Sequence, residues 1–240
     1  MIAVILAAGT GSRLRPLTCT TPKPLISVGG VPLLKKTLGA LMDNGIRKAV
    51  VVTGYLAEDI TAFLRESPLP MSVDTLHNPL YATTANTYSL WLTAPLVRGK
   101  AFVLLDGDIL FASEVLTALL ADAQQDGLVM RRTAHLDTEE VKVELDPHHM
   151  VTRIGKDIPP ERAAGESLGI EKFSPAGSEA LFRALDGRKD RHEFYEASFQ
   201  QIIDEGVRMH AVDSGALPCM EIDTLEDLEA AHRLAAEYRL

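Results

Sequence analysis

The chain has 240 residues, 46% of them hydrophobic, enough for one α/β domain or two small ones with an ordinary core, and this argues against disorder. Its formal net charge of −9 disfavours a nucleic-acid partner, which needs a basic surface, but leaves room for a small anion held by a few local cations. Cys19 and Cys219 lack metal-type spacing, which suits a reducing compartment. The apolar start is too short for a signal peptide and no run is long enough for a membrane span, so a cytoplasmic protein without a membrane partner is expected.

In chain order, the unbroken apolar runs at 2–6, 48–53, 71–76 and 101–106 predict strands buried on both faces, as in a parallel sheet. Between them, 32–45 carries Leu34, Leu38, Leu41 and Met42 on one helical stripe, with Pro32 near its start and Gly45 past its end. Further helices are expected at 56–66 and 112–125. This alternation predicts an α/β fold with a doubly wound, mostly parallel, Rossmann-like sheet. After residue 125 the pattern changes to strand-like pieces at 139–146, 150–158 and 166–174, two helices near 176–186 and 195–205, a strand at 208–213 and a last helix from about 224. The segment 157–167, with Pro159, Pro160 and Gly165, reads as a mobile loop. Trp91 reads as a core residue of a helix, and His148 and His149 as solvated turn residues. We expect one domain over 1–240, in which 1–125 binds nucleotide and 126–240 is a strand-rich acceptor-binding half.

From Ala7 to Pro24 the chain has no hydrophobic period, although ordinary strand-to-helix loops take about 2–6 residues. This long loop leaves the carboxyl end of the first strand, where open α/β sheets bind ligands. Gly9 and Gly11 let backbone N–H groups approach an anion, and Arg13, Arg15 and Lys23 supply charge for a polyphosphate. Neither a P-loop nor a dinucleotide fingerprint is present: Leu14 stands where the latter needs its third glycine.

The stretch "LAAGTGSRLRPLTCTTPKPL" resembles the signature of the nucleotidyltransferases that make nucleoside diphosphate sugars and related activated head groups. The resemblance implies a backbone cradle at Ala8, Gly9, Thr10 and Gly11 for a nucleoside triphosphate, Arg13 on its phosphates, and Lys23 beside the phosphate being transferred. Asp106-Gly107-Asp108 ends a buried strand; such a sequence can simply turn, but paired carboxylates also suit Mg²⁺. The resemblance implies Asp108 as a metal ligand, joined by Asp223 from "EIDTLEDLE", and places Asp106 among the nucleotide-binding residues. Thr224, Glu226 and Asp227 also suit a helix cap, which alone could explain that acidic run.

The segment "HNPLYATTANTYSLWLTAPL" resembles the cytidylyltransferases of small phosphorylated alcohols and phosphonates, acting on phosphocholine, inositol 1-phosphate or 2-aminoethylphosphonate. Asn86 could read a pyrimidine edge or cap a helix. Lys156 is either an exposed strand lysine or, as the resemblance implies, the grip on the acceptor's phosphate, with Lys142 a second candidate. Val141 stands where the phosphocholine enzymes carry aromatic residues for a quaternary ammonium. Glu171 and Glu196 are either surface residues or receivers of a primary ammonium. The expected reaction is in-line attack of an acceptor oxygen on CTP with loss of pyrophosphate, helped by Mg²⁺. A sugar-1-phosphate nucleotidyltransferase, a glycosyltransferase and a non-enzymatic nucleotide sensor are the rival readings, and a homodimer is left open.

Overall fold

The computed structural model describes residues 1–240 apart from 134, 135, 137 and 189–191. β1 (Ile2–Ala7) leads into three 3-10 turns, Ser12–Leu14, Leu17–Cys19 and Lys23–Leu25, and then a small ribbon of β2 (Ser27–Val28) and β3 (Val31–Pro32). α1 (Leu33–Asp43) buries Leu34, Leu38 and Leu41, the stripe read from the sequence. There follow β4 (Lys48–Thr53), α2 (Ala57–Glu66), β5 (Ser72–His77), α3 (Asn86–Leu92), α4 (Ala94–Val97), β6 (Phe102–Asp106), β7 (Ile109–Phe111) and α5 (Ser113–Ala121). The remainder comprises β8 (Asp126–Arg131), β9 (Lys142–Leu145), β10 (Val151–Gly155), β11 (Gly165–Phe173), α6 (Pro175–Gly187), α7 (Glu196–Asp204), β12 (Met209–Asp213), β13 (Cys219–Glu221) and α8 (Leu225–Tyr238).

The centre of the main sheet is parallel, in the order β5, β4, β1, β6. Its strands are apolar along their whole length because both faces are covered. After β1 the chain builds outward through β4 and β5, then returns to place β6 on the other side of β1. The sheet therefore has its switch point between the carboxyl ends of β1 and β6, where open α/β sheets leave a crevice. β11 continues the sheet antiparallel to β6 and also pairs with β8 and β9, and β12 lies parallel to β8. The fold is α/β with a mostly parallel central sheet, as expected, extended by the strands of the second half.

Three local expectations are corrected. Gly165 does not sit in an irregular loop: a 3-10 turn covers Pro160–Arg162, and Gly165 opens β11 between two neighbours. A Cβ there would lie 2.3 Å from the Arg131 carbonyl oxygen, so only glycine lets the strands close. Asp126–Arg131 forms a buried strand where none was expected. Trp91 is half-buried rather than core, its indole N–H donating to Asp186 at 3.0 Å while its ring stacks on Tyr88.

A third apolar cluster joins the first loop to the last helix: Leu14, Ile26, Val28 and Leu33 pack against Ile222, Leu228, Ala231 and Ala235. Fully burying a leucine such as Leu14 stabilises by about 1.5–3 kcal/mol, so the glycine-rich loop is anchored at its middle. Among the described residues no helix is long and apolar enough to cross a membrane.

Candidate active site

The site is built at the carboxyl ends of β1 and β6. The Gly107 N–H donates to the Leu6 carbonyl at 2.9 Å, and a Cβ on residue 107 would come within 2.6 Å of that oxygen. Glycine lets the chain hug the end of β1, leaving Asp106 and Asp108 on either side of the turn. β13 pairs antiparallel with β7, and the Ile222 N–H donates to the Asp108 carbonyl at 3.0 Å, which brings Asp223 alongside. The acidic run beyond it divides its work. Asp227 and Thr224 form a reciprocal cap on α8, whereas the Asp223 carboxylate turns toward the first loop.

Lys23 fills the space between the two carboxylates. Its Nζ donates to Asp108 Oδ2 at 2.6 Å and to Asp223 Oδ1 at 2.7 Å, and its side chain is only 10% exposed. Burial lowers the lysine's pKa, but Asp108 and Asp223 outweigh it and the net shift is upward, so Lys23 is a fixed cation. Arg13, more exposed, reaches Asp223 Oδ2 at 2.6 Å. Asp108 Oδ1 is buried and accepts no hydrogen bond. Carboxylate oxygens of Asp106, Asp108 and Glu221 lie within 4.8 Å of one another. This all-oxygen donor set, with one orphaned buried oxygen, fits a hard divalent cation. Glu221 was not singled out from the sequence, although strand alternation puts it on the same side as Asp223 two residues on. It sits at the exposed rim, yet burial of its carboxyl end, with Asp108 and Asp223 nearby, pushes it up to about 8.

A cavity of about 1030 Å³ opens from this cluster, and its lining includes Ala8, Gly9, Asn78, Asn86, Lys156 and Glu196. The family model described as nucleotidyl transferase matches residues 2–144. The chain belongs to that family. It is 27% identical over 237 residues to the 2-aminoethylphosphonate cytidylyltransferase of Lancefieldella rimae, covering 98% of this chain and 90% of that protein. It is 36% identical to the CMP-5'-(3-aminopropyl)phosphonate synthase of Streptomyces rubellomurinus, over 54% of this chain and 20% of that one. The inositol-1-phosphate CTP transferase of T. maritima shares the fold, with a TM-score of 0.82, 23% identity and coverage of 98% and 96% of the two chains.

In this nucleotidyl transferase the remaining candidates fall at different places. Gly11 (φ 59°) and Thr10 shape the loop but are not among the described residues lining the cavity. Asn86 does not cap its own helix: its Oδ1 accepts the Tyr195 N–H at 3.0 Å, tying α3 to the start of α7. Asn78, buried, donates to Ser89 Oγ at 2.9 Å and accepts from the Leu80 N–H at 2.8 Å, which fixes the loop between them. Lys156 lies one residue past β10, exposed, with Nζ 5.2 Å from the Phe194 ring centroid and 3.9 Å from Glu139. Lys142 is buried in β9, donates to the Glu140 carbonyl at 3.0 Å, and is not among the described residues lining the cavity. Arg131, missed from the sequence, does line it, with its guanidinium bound to Glu166 and to the Cys219 carbonyl.

The surface reading of Glu171 fails, and Glu196 stands half-buried on the cavity wall. Glu171 is 1% exposed in the middle of β11, because that strand has partners on both sides. Burial first, then Asp106 and Glu196, hold its carboxyl well above the usual range; burial likewise pushes Glu196 up to about 7. Tyr195, fully buried and also missed, donates its hydroxyl to Asp106 Oδ2 at 2.8 Å. Burial, then Asp108 and Glu196, raise Asp106 despite that hydrogen bond.

Proposed function

We propose that the protein transfers CMP from CTP to a phosphate or phosphonate oxygen of a small acceptor, with Mg²⁺, releasing pyrophosphate. The observation that carries this reading is Lys23 held between Asp108 and Asp223 at the edge of the sheet, beside a cavity large enough for both substrates. The full-length similarity to a cytidylyltransferase, on a chain whose 78–90 segment resembles that class, supports CTP as donor.

The acceptor oxygen, already ionised at neutral pH, forms a bond to the α-phosphorus while the bond from that phosphorus to the α–β bridging oxygen breaks. The electron pair leaves with pyrophosphate. No protein nucleophile is required, so the chain's task is alignment and charge neutralisation. Ala8 and Gly9 let the triphosphate lie close to the backbone. Arg13 and Lys23, both already pointed at the carboxylate pair, turn to the phosphates. Lys156, which lines the same cavity, binds the acceptor's anionic end. Asp108 and Asp223 would hold Mg²⁺ in the place Lys23 leaves when it turns to the phosphates, and Asp108 offers in addition the oxygen that has no other partner. When bound, Mg²⁺ supplies charge neutralisation on the triphosphate. Asn86, on the cavity wall, reads the base.

The test is pyrophosphate release from each of CTP, UTP, ATP and GTP against phosphocholine, inositol 1-phosphate, 2-aminoethylphosphonate, 2-hydroxyethylphosphonate and glucose 1-phosphate. The highest specificity constant should come with CTP and a non-sugar acceptor. A purine nucleotide or glucose 1-phosphate in first place would overturn the reading.

A further inference from the structure

The first loop and the segment around Asn78 and Tyr81 converge on the carboxyl end of β4, at Thr53, Gly54 and Tyr55. The Thr53 carbonyl accepts the Asn78 N–H at 2.7 Å. Gly54 is packed so closely that a Cβ there would stand 2.7 Å from the Ala8 carbonyl oxygen and 2.5 Å from the Tyr81 Cβ. Tyr55 then grips both limbs of the first loop. Its N–H donates to the Ala8 carbonyl at 3.1 Å, where the loop leaves β1. Its hydroxyl reaches the Thr18 carbonyl at 2.9 Å and the Cys19 carbonyl at 3.3 Å, on the returning limb. Thr18, fully buried, carries the grip inward by donating its own hydroxyl to the Gly11 carbonyl at 2.8 Å. Gly11 has φ 59°, and a Cβ on it would meet Thr18 Cγ2 at 3.0 Å and Lys23 Cβ at 3.2 Å. One chain of contacts thus runs from Tyr55 through Thr18 and Gly11 to the stem of Lys23. The Tyr55 ring also tilts against that of Tyr81, centroids 6.3 Å apart, and Tyr81 lines the cavity. Tyr55 itself is not among the described residues that line it.

We infer that Tyr55 is a positioning residue for the nucleotide: without touching it, Tyr55 holds the first loop in its phosphate-receiving shape before the triphosphate arrives. This rests on the reading of that loop as the triphosphate cradle. A long loop that must order itself around a ligand gives up backbone freedom, and that loss subtracts from affinity. Here the loop has two anchors made during folding. Leu14 holds it on the α8 side and Tyr55 on the β4 side, and Gly9 and Gly11 are strung between them. The ordering is then complete before the nucleotide binds. A hydroxyl is needed for this because the side chain faces two carbonyls; phenylalanine fills the same space but supplies no donor. Lys156, placed after β10, is outside this chain of contacts, so the acceptor should not feel the loss.

The experiment uses Tyr55→Phe, which keeps the ring against Tyr81 and removes only the hydroxyl. Calorimetric binding of CTP with Mg²⁺ should weaken by roughly three- to tenfold, as loss of one hydrogen bond does, and the KM for CTP should rise with it. The acceptor's KM and the turnover at saturating CTP should stay within about twofold of the wild type. Hydrogen exchange of the nucleotide-free protein gives a second readout. The Leu14 and Cys19 amides, bonded to the Gly11 and Pro16 carbonyls, should exchange severalfold faster in the variant while β1 and α8 are unchanged, whereas a general loss of stability speeds all three regions. CTP binding within about twofold of the wild type, or an acceptor KM that rises as much as that of CTP, would overturn the inference. So would faster exchange spread evenly over β1 and α8. If the wild type binds none of the four triphosphates, the reading of the loop as their cradle fails and the role of Tyr55 fails with it, a result visible before any variant is made.

Discussion

Lys23 and Asp223, two hundred positions apart in the chain, meet at 2.7 Å, and the same ammonium meets Asp108 at 2.6 Å. A lysine thus stands where the two carboxylates would receive a divalent ion, and the two cations compete. Replacing it by an uncharged residue of similar length, Lys23→Met, should tighten Mn²⁺ binding to the nucleotide-free protein by about tenfold or more, because the ion no longer displaces an ammonium from a nearly buried pair. Calorimetric titration reads this directly. Unchanged affinity would move the ion away from Asp223 and the lysine, to the set formed by Asp106, Asp108 and Glu221.

Turnover should respond in the opposite sense. Lys23→Ala is expected to lower kcat by roughly 10²-fold or more with every acceptor, as loss of other preorganised donors does. Lys156→Ala should leave the KM for CTP nearly as it was and raise the acceptor's KM severalfold. Steady-state kinetics with each substrate varied in turn separate the two. An acceptor KM that Lys156→Ala does not move would mean that its contact with Phe194 is the lysine's whole role.

Asp108→Asn and Asp223→Asn should each reduce turnover by roughly 10²-fold or more at limiting Mg²⁺ while the thermal melting curve stays cooperative, since both carboxylates lie outside the apolar clusters. Full activity of either variant would remove that residue from the metal site.

The buried acids make stability depend on pH. Glu196 titrates near 7 in the fold against about 4.5 unfolded, and Glu171 is raised in the same direction. Between those values the native state holds protons that the unfolded chain has released, so stability falls as pH rises through the window. Glu196→Gln removes that residue's share of the dependence and should melt above the wild type at pH 8, by at most about 3 kcal/mol of stability, with the advantage fading toward pH 5. Melting curves at the two pH values check it; an advantage that does not change with pH would mean Glu196 is ionised throughout.

Much of this arrangement was legible in the sequence because it is local. The parallel strands announce themselves as apolar runs, and the first loop as a break in any period. What was not legible depends on contacts far along the chain. β8 begins Asp-Gly, which reads as a turn; Asp126 is instead buried and accepts from the Ser174 N–H at 2.7 Å, 48 positions away. Glu171 in "GESLGIEKF" left a surface reading open, yet β11 lies inside the sheet. Tyr195 carries no local signal at all, since its partner Asp106 is 89 positions distant. Asn86 was legible as a polar residue opening a helix, but its bond to the Tyr195 backbone was not.

The packing of α8 against the first loop also sets an order of events during synthesis. β1, the loop and β6 emerge early, but Leu14 and Val28 remain uncovered, and Lys23 has only one of its carboxylate partners, until the residues from Ile222 to Ala235 leave the ribosome. A nascent chain can therefore have most of its sheet and still hold its lysine loosely. The pocket becomes competent only when α8 closes over the loop that follows β1.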